Sequence, residues 1–80
     1  MIRIKLFGVV KDAAGQAHID LEADGLESIG LLERHLFDSY PEIKRYRDFI
    51  IFLKDSTVVQ KDTGLRDGDT VTVMIPTSGG

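Results

Sequence analysis

The chain has 80 residues, of which 42% are hydrophobic and 29% are charged, and its formal net charge is −3 with a pI near 5.2. This length allows one small folded domain, and the composition is that of a folded rather than a disordered chain. The absence of cysteine excludes disulfides, thiolate metal sites and a cysteine nucleophile. The negative net charge argues against a nucleic-acid partner.

The start of the chain lacks the features of a signal peptide. Arg3 and Lys5 alternate with apolar residues, so no apolar segment follows the first methionine. No apolar run approaches the roughly 20 residues that a membrane helix requires. A small domain without disulfides also fits a reducing compartment. We therefore expect a cytoplasmic protein that has no membrane partner.

Two segments with the alternation of a β-strand occupy the first quarter of the chain. Residues 2–7 alternate between apolar and polar, and residues 18–22 do so again with Ile19 and Leu21 on the apolar side. Residues 8–16 predict a turn, in which Gly15 is the best candidate for a positive φ. We expect these segments to form an antiparallel hairpin joined by a short loop.

One amphipathic helix follows. Ser28 is a good N-cap, and Asp24 is a rival cap three residues before Glu27. Pro41 ends the helix, because the residue before a proline disfavours the α region. Apolar side chains recur at helical spacing along one face, which Phe37 widens: Ile29, Leu32, Leu36 and Tyr40.

The second half of the chain predicts further strands. Residues 49–53 are nearly all apolar and short, which favours a central strand buried on both faces. Residues 54–56 predict a turn, and residues 57–59 a short edge strand. Residues 65–69 predict a tight turn, with Gly68 at a positive φ, that leads into the last strand at residues 70–75.

This order of elements predicts an α+β fold. A sheet wrapped around a single helix is the economical way for so short a chain to bury these apolar faces. The first and last strands can pair in the middle of the sheet, and they run parallel if the helix is a crossover. We expect the ubiquitin-like β-grasp, a mixed sheet of four to five strands on one main helix. Its domain covers residues 1–76, and residues 77–80 form a tail.

The C-terminal segment carries the strongest functional signal. Pro76 stops the last strand because it cannot donate a ladder hydrogen bond, and Thr77, Ser78, Gly79 and Gly80 follow it. Fully extended, these four residues reach at most roughly 14 Å. Glycine has no Cβ, so the end of the tail can enter a narrow channel. The segment predicts a tail that offers its ionised carboxylate to another protein's active site, with a frayed terminus as the alternative.

Motifs along nearly the whole chain resemble a known family. They comprise residues 6–12 with Gly15, the helix from Ser28 to Tyr40-Pro41-Glu42-Ile43, the Leu-x-Asp-Gly-Asp-x-Val turn at residues 65–71, and Ile75-Pro76 followed by Gly79-Gly80. The chain resembles the small sulfur-carrier subunit of molybdopterin synthase and its relatives, the thiamine-pathway sulfur carrier and the archaeal ubiquitin-like modifiers. The last two motifs together, correctly spaced, are the most specific.

The resemblance implies a sulfur-carrier cycle. An adenylyltransferase of the ubiquitin-activating type joins the Gly80 carboxylate to AMP, and sulfur then displaces AMP to leave a thiocarboxylate. The large subunit of molybdopterin synthase, expected in a heterotetramer with this chain, holds the tail from Pro76 to Gly79 while the sulfur is transferred. The chain has no Walker-type phosphate loop, so ATP is expected on the partner and no cofactor on this chain. The cycle implied by the resemblance needs no catalytic base on this chain.

Alternatives within and beyond this family stay open. The carrier can supply sulfur to thiamine, to tRNA thiolation or to amino-acid synthesis instead. A protein modifier would be joined through Gly80 to lysines of a target. A β-grasp binding module with an inert tail is the remaining alternative.

A docking surface is expected on the sheet. If Ile4, Leu6, Val71 and Val73 face the helix, the alternation of a strand places Phe7 and Met74 on the opposite face. Phe52 joins them if its two neighbours face inward. We expect these three side chains to bind the partner.

No metal site is predicted. His18 and His35 are distant in sequence and lie on different predicted elements. Asp67 and Asp69 flank Gly68 in a loop far too short for an EF-hand, so they are expected to form the turn.

Overall fold

The computed structural model describes residues 1–76. These residues form a five-stranded sheet in the order β2-β1-β5-β3-β4, in which β1 and β5 run parallel and every other neighbouring pair is antiparallel. The α+β, β-grasp prediction is confirmed, including the parallel pairing of the first and last strands. The elements are β1 (Ile2–Leu6), α1 (Gly8–Ala14), β2 (His18–Leu21), α2 (Ile29–Ser39), α3 (Pro41–Lys44), β3 (Ile51–Lys54), β4 (Thr57–Val59) and β5 (Thr70–Met74).

One apolar core lies between the sheet and the helices. The alternating pattern of β1 and β5 buries every second side chain, as their sequences predict. The predicted stripe on α2 lies against this inner face of the sheet, with Phe37 and Tyr40 packed around its edge. The side chains with no exposed surface are Ile2, Ile4, Val10, Ile29, Leu32, Leu36, Ile43, Val71 and Val73.

The ends of α2 follow the sequence signals. The Ser28 hydroxyl accepts a hydrogen bond from the Leu31 N–H at 3.2 Å, which confirms Ser28 as the N-cap. The first two helical N–H groups, of Ile29 and Gly30, donate to the carbonyls of Thr63 and Lys61 at 3.0 and 2.8 Å. The loop before β5 is thereby held against the start of the helix. Helix α2 ends at Ser39, and Pro41 begins α3 after the single intervening residue Tyr40.

The segment between β1 and β2 differs from its prediction. Residues 8–14 form the helix α1 rather than a turn, so β1 and β2 pair antiparallel without being a simple hairpin. Gly15 ends this helix with φ 76°, as expected, and its N–H donates to the Lys11 carbonyl at 2.9 Å. The helix forms because Val10 is buried in the core, with Ala13 and Ala14 packed beside it.

The third strand is also shorter and less buried than predicted. It begins at Ile51, leaving Phe49 outside the strand and exposed. Only Phe52 of this strand is buried, so the strand has one buried face rather than two. The chain then turns at Asp55 and Ser56 into β4, which is the predicted edge strand.

Candidate functional site

The face of the sheet turned away from the core, here called the outer face, carries a row of apolar side chains. The strand register places Ile51 beside Met74, and Leu53 beside both Thr72 and Val58. These side chains are half-buried except Val58, which is 54% exposed. The apolar members of this row and Phe7 are together called the apolar strip: Phe7, Ile51, Leu53, Val58 and Met74. An open apolar surface of this kind is typical of a protein-binding site.

Phe7 lies at the end of the strip where the tail begins. Its extended backbone continues β1 by one residue, and its N–H donates to the Val73 carbonyl at 3.3 Å. The Phe7 side chain is 51% exposed, while its neighbour Leu6 is buried. Phe7 and Met74 are therefore on the outer face, where the alternation placed them. Pro76, two residues beyond Met74, is exposed.

The placement of Phe52 on the outer face was wrong. Phe52 is only 5% exposed and belongs to the core. The cause is the register of β3 with β5, which puts Phe52 directly opposite the buried Val73 and therefore on the same face. Ile51 and Leu53 take its place on the outer face. A nearly all-apolar strand has no alternation from which its orientation can be read, so sequence reasoning missed these two residues.

A cationic groove adjoins the apolar strip, and sequence reasoning missed it as well. Its volume is about 340 Å³, and among residues 1–76 no acidic side chain lines it. Lys5 and His18 face each other across β1 and β2, and Lys11 reaches the groove from α1. We call this the basic groove; its lining residues are Arg3, Lys5, Leu6, Phe7, Lys11, Ala17 and His18.

The charges of the basic groove differ in their pairing. The Arg3 guanidinium donates to both carboxylate oxygens of Asp20, from Nε at 2.9 Å and from Nη2 at 3.1 Å. This hydrogen bonding and the positive charge lower the pKa of Asp20. Within residues 1–76, by contrast, no carboxylate lies within ion-pair distance of Lys5 or Lys11.

The aspartates near Gly68 hold the predicted turn together. Gly68 has φ 94°, as expected. An Asp69 carboxylate oxygen accepts from the Arg66 N–H at 2.8 Å and lies 3.2 Å from the Lys54 ammonium. The hydrogen bond from Arg66 contributes most to lowering the Asp69 pKa, and Lys54 adds to it. Asp69 therefore has a structural role in the loop that leads into β5.

The two histidines do not meet in the fold. His18 is on β2 and His35 on α2, and residues 1–76 contain no cluster of three or more potential metal ligands. None of the helices described in this range has the length and hydropathy to cross a membrane. The predicted tail residues Thr77, Ser78, Gly79 and Gly80 lie outside the described residues, so their roles stay predictions.

Comparison with known proteins shows the family. The model of the ThiS family matches residues 4–80, and a search of curated proteins finds no significant match. Among solved structures, SAMP1 from Haloferax volcanii has a TM-score of 0.85 at 22% identity, covering 99% of this chain and 98% of its own. SAMP1 from Methanosarcina acetivorans, named small archaeal modifier protein 1, has a TM-score of 0.82 at 24% identity, covering 99% and 95%.

A third similar structure is a complex. It contains subunits 1 and 2 of the molybdopterin-converting factor from Helicobacter pylori 26695, with a TM-score of 0.72 at 19% identity, covering 99% of this chain and 97% of that one. At these identities the solved structures establish the fold, whereas the family match extends over nearly the whole sequence. The chain belongs to the ThiS family, and its fold is the ubiquitin-like β-grasp.

Proposed function

We propose that this protein carries sulfur as a thiocarboxylate on Gly80. The observation that carries the proposal is the extent of the family match, which continues through residue 80 and so includes the Gly79-Gly80 pair. The fold supports it, because β5 lies in the middle of the sheet and leads to an exposed Pro76 beside the apolar strip. A partner that binds this strip can take up the segment that follows Pro76.

The chemistry requires activation of a poor acylating group. The Gly80 carboxylate attacks the α-phosphate of ATP on a partner adenylyltransferase, which forms an acyl-adenylate and releases pyrophosphate. Hydrosulfide then attacks the acyl carbon, the bond to AMP breaks, and AMP leaves with the electron pair. The remaining proton passes to solvent, and the thiocarboxylate stays on Gly80. This chain supplies the acyl group and the docking surface, while the partner supplies the ATP site.

Intact-protein mass spectrometry tests the carrier chemistry. The untagged chain is incubated with ATP, sulfide and candidate adenylyltransferases, alongside an established carrier as a positive control. We expect a mass gain equal to the exchange of one oxygen for sulfur, localised to Gly80 by fragmentation. A variant that lacks Gly79 and Gly80 is the matched control and should gain nothing. A wild-type chain that no candidate modifies, while the positive control is modified, would contradict the proposal.

Within the carriers, we propose molybdopterin synthesis as the acceptor pathway. The motif at residues 65–71 and the likeness to the molybdopterin-converting factor complex support this assignment. The partner is then the large subunit of molybdopterin synthase. Thiocarboxylated protein, mixed with this subunit and the pterin precursor, should return to the carboxylate form as dithiolene sulfur appears. Sulfur transfer only in a reconstituted thiamine, tRNA or amino-acid system would instead assign one of those pathways.

A modifier role is the second candidate. The observation that favours it is the likeness to two structures of SAMP1, one of which is named a small archaeal modifier protein. In this role Gly80 forms an isopeptide bond with a lysine ε-amine of a target. Proteomics of native cell lysate distinguishes the two roles. Peptides with this chain's C-terminus on lysine favour the modifier, whereas a free thiocarboxylate alone favours the carrier.

A further inference from the structure

The outer face has two chemically different halves. β3, β4 and β5 carry the apolar side chains Ile51, Leu53, Val58 and Met74. The β1–β2 half carries Arg3, Lys5 and His18, together with Asp20, which is paired with Arg3. Phe7 belongs to both, since it ends the apolar strip and lines the basic groove. A protein that docks on the strip at Phe7 therefore borders the basic groove.

The groove contrasts with the rest of the molecule in charge. The chain as a whole carries a net charge of −3, yet the residues that line the groove in the described part of the chain are all basic or apolar. Arg3 is paired with Asp20, whereas the other two groove cations, Lys5 and Lys11, have no carboxylate within ion-pair distance in residues 1–76. Their complement is a carboxylate from another molecule, placed next to an apolar group that contacts Phe7.

We propose that the basic groove binds an acidic segment of the adenylating partner, with carboxylates opposite Lys5 and Lys11, and that this contact orients the carrier on the enzyme. The inference rests on the proposed function, since it names how the activating enzyme recognises the same face. The apolar strip provides contact area, but apolar contact alone does not select one orientation of the carrier on the enzyme. A charged pair on one side of it selects a single orientation, which directs the chain beyond Pro76 toward one active site.

A protein segment fits the groove better than a nucleic acid. A long polyanion experiences the net negative charge of the whole chain, which repels it. A single carboxylate held near Lys5 and Lys11 experiences mainly the local cations, because charges separated by more than about 10 Å are screened at ordinary ionic strength. The apolar strip beside the groove would moreover be left without a partner on a nucleic acid.

The kinetic experiment is ATP–pyrophosphate exchange with the adenylyltransferase that modifies the wild-type chain. In 50 mM salt, the K5E/K11E variant should raise the KM for the carrier at least about 10-fold, since two attractive pairs become repulsive. The kcat should stay within about twofold, because the proposed ion pairs act on binding and not on the bond-forming step. Raising the salt to 300 mM should shrink the KM difference, since screening weakens exposed ion pairs.

A matched variant controls for net charge. R34E/K44E makes the same change in charge on α2 and α3, which cover the inner face of the sheet. Its KM should stay within about twofold of the wild type. Equal increases in KM in both variants would show that net charge alone causes the increase, and would overturn the proposal. An unchanged KM in K5E/K11E would also overturn the proposed groove contact. It would not count against the carrier function, because the wild-type chain would still support the exchange reaction.

A binding experiment tests the groove even if no adenylyltransferase acts on the chain. The probe is a blocked hexapeptide, Asp-Phe-Glu-Asp-Leu-Glu, added to the ¹⁵N-labelled wild-type chain, with the Asn/Gln form of the peptide as control. We expect chemical-shift changes at the amides of Lys5, Phe7, Lys11 and His18, which disappear in K5E/K11E and with the control peptide. No shifts in the wild type, or stronger shifts at these amides with a dT oligonucleotide, would overturn the proposal.

Discussion

At the scale of single residues, Asp69 links a sequence motif to the stability of the fold. Its carboxylate accepts the Arg66 N–H and pairs with Lys54, which also donates to the Gly64 carbonyl at 3.2 Å. The second aspartate of the Leu-x-Asp-Gly-Asp-x-Val motif thus closes the loop before β5 and ties it to β3. The sequence predicted a turn here because aspartate and glycine favour turns, and the structure adds the long-range partner Lys54.

The pH dependence of Asp69→Asn tests this role. The pKa of Asp69 is lowered in the folded state, so its contribution is fully present above the unfolded pKa of about 3.9 and is lost as pH falls through the folded value. We expect Asp69→Asn to lower the free energy of unfolding by about 1 kcal/mol at pH 7. The difference in the free energy of unfolding between Asp69→Asn and wild type should shrink as pH falls below about 4. Urea unfolding from pH 7 to pH 2.5 measures it.

Asp62→Asn is the control for this experiment. Asp62 lies exposed in the same loop, and its side chain accepts no hydrogen bond within the part of the chain that the structure describes. The free energy of unfolding of the Asp62→Asn protein should have the same pH dependence as that of the wild type, within experimental error. A constant difference between Asp69→Asn and wild type across the whole pH range would show that the carboxylate charge is not what stabilises the loop.

At the scale of elements, a helix or strand was predicted correctly where the apolar pattern of its own segment determined its structure. The stripe on α2 and the alternation of β1 fixed their buried faces, because each has one apolar side. Helix α1 was missed because Gly8 and two valines are weak helix formers, while burial of Val10 decides its structure. The spacing of Val10, Ala13 and Ala14 is helical, and it was the one signal that could have revealed α1.

The hairpin between β3 and β4 offers an element-scale prediction. Asp55 and Ser56 form its two-residue turn with φ values of 52° and 65°, a conformation that non-glycine residues disfavour. We expect Ser56→Gly to raise the free energy of unfolding by roughly 0.5–1 kcal/mol, since glycine relieves this strain. Thermal and urea unfolding measure the change. Ser39→Gly, the same substitution at the end of α2, should instead be neutral or destabilising.

A destabilised Ser56→Gly protein would show that the Ser56 side chain stabilises the turn by more than its backbone strain costs. The pairing of β3 with its other neighbour, β5, matters beyond the hairpin, because it puts Phe52 in the core and turns Ile51 and Leu53 outward. The composition of the candidate binding face is therefore set by a long-range pairing that the sequence of β3 alone does not reveal.

At the scale of the whole molecule, the fold separates stability from recognition by the two faces of one sheet. The inner face and the helices form the core, and the outer face has no covering element within residues 1–76. Because Phe7 is half exposed, replacing it removes little buried surface from the core. Side chains on the outer face can therefore be changed with small effects on folding, which makes the function of this face testable by substitution.

Phe7→Asp tests the apolar strip as a docking surface. We expect it to weaken binding to the adenylyltransferase that acts on the wild type about 30-fold, as the loss of an aromatic contact worth about 2 kcal/mol would. The melting temperature should change by no more than a few degrees, because Phe7 is not in the core. Leu31→Asp, an exposed apolar-to-acidic change on α2, is the control and should bind as the wild type does. Calorimetric titration gives each dissociation constant, and equal affinities for Phe7→Asp and Leu31→Asp would assign docking to another surface.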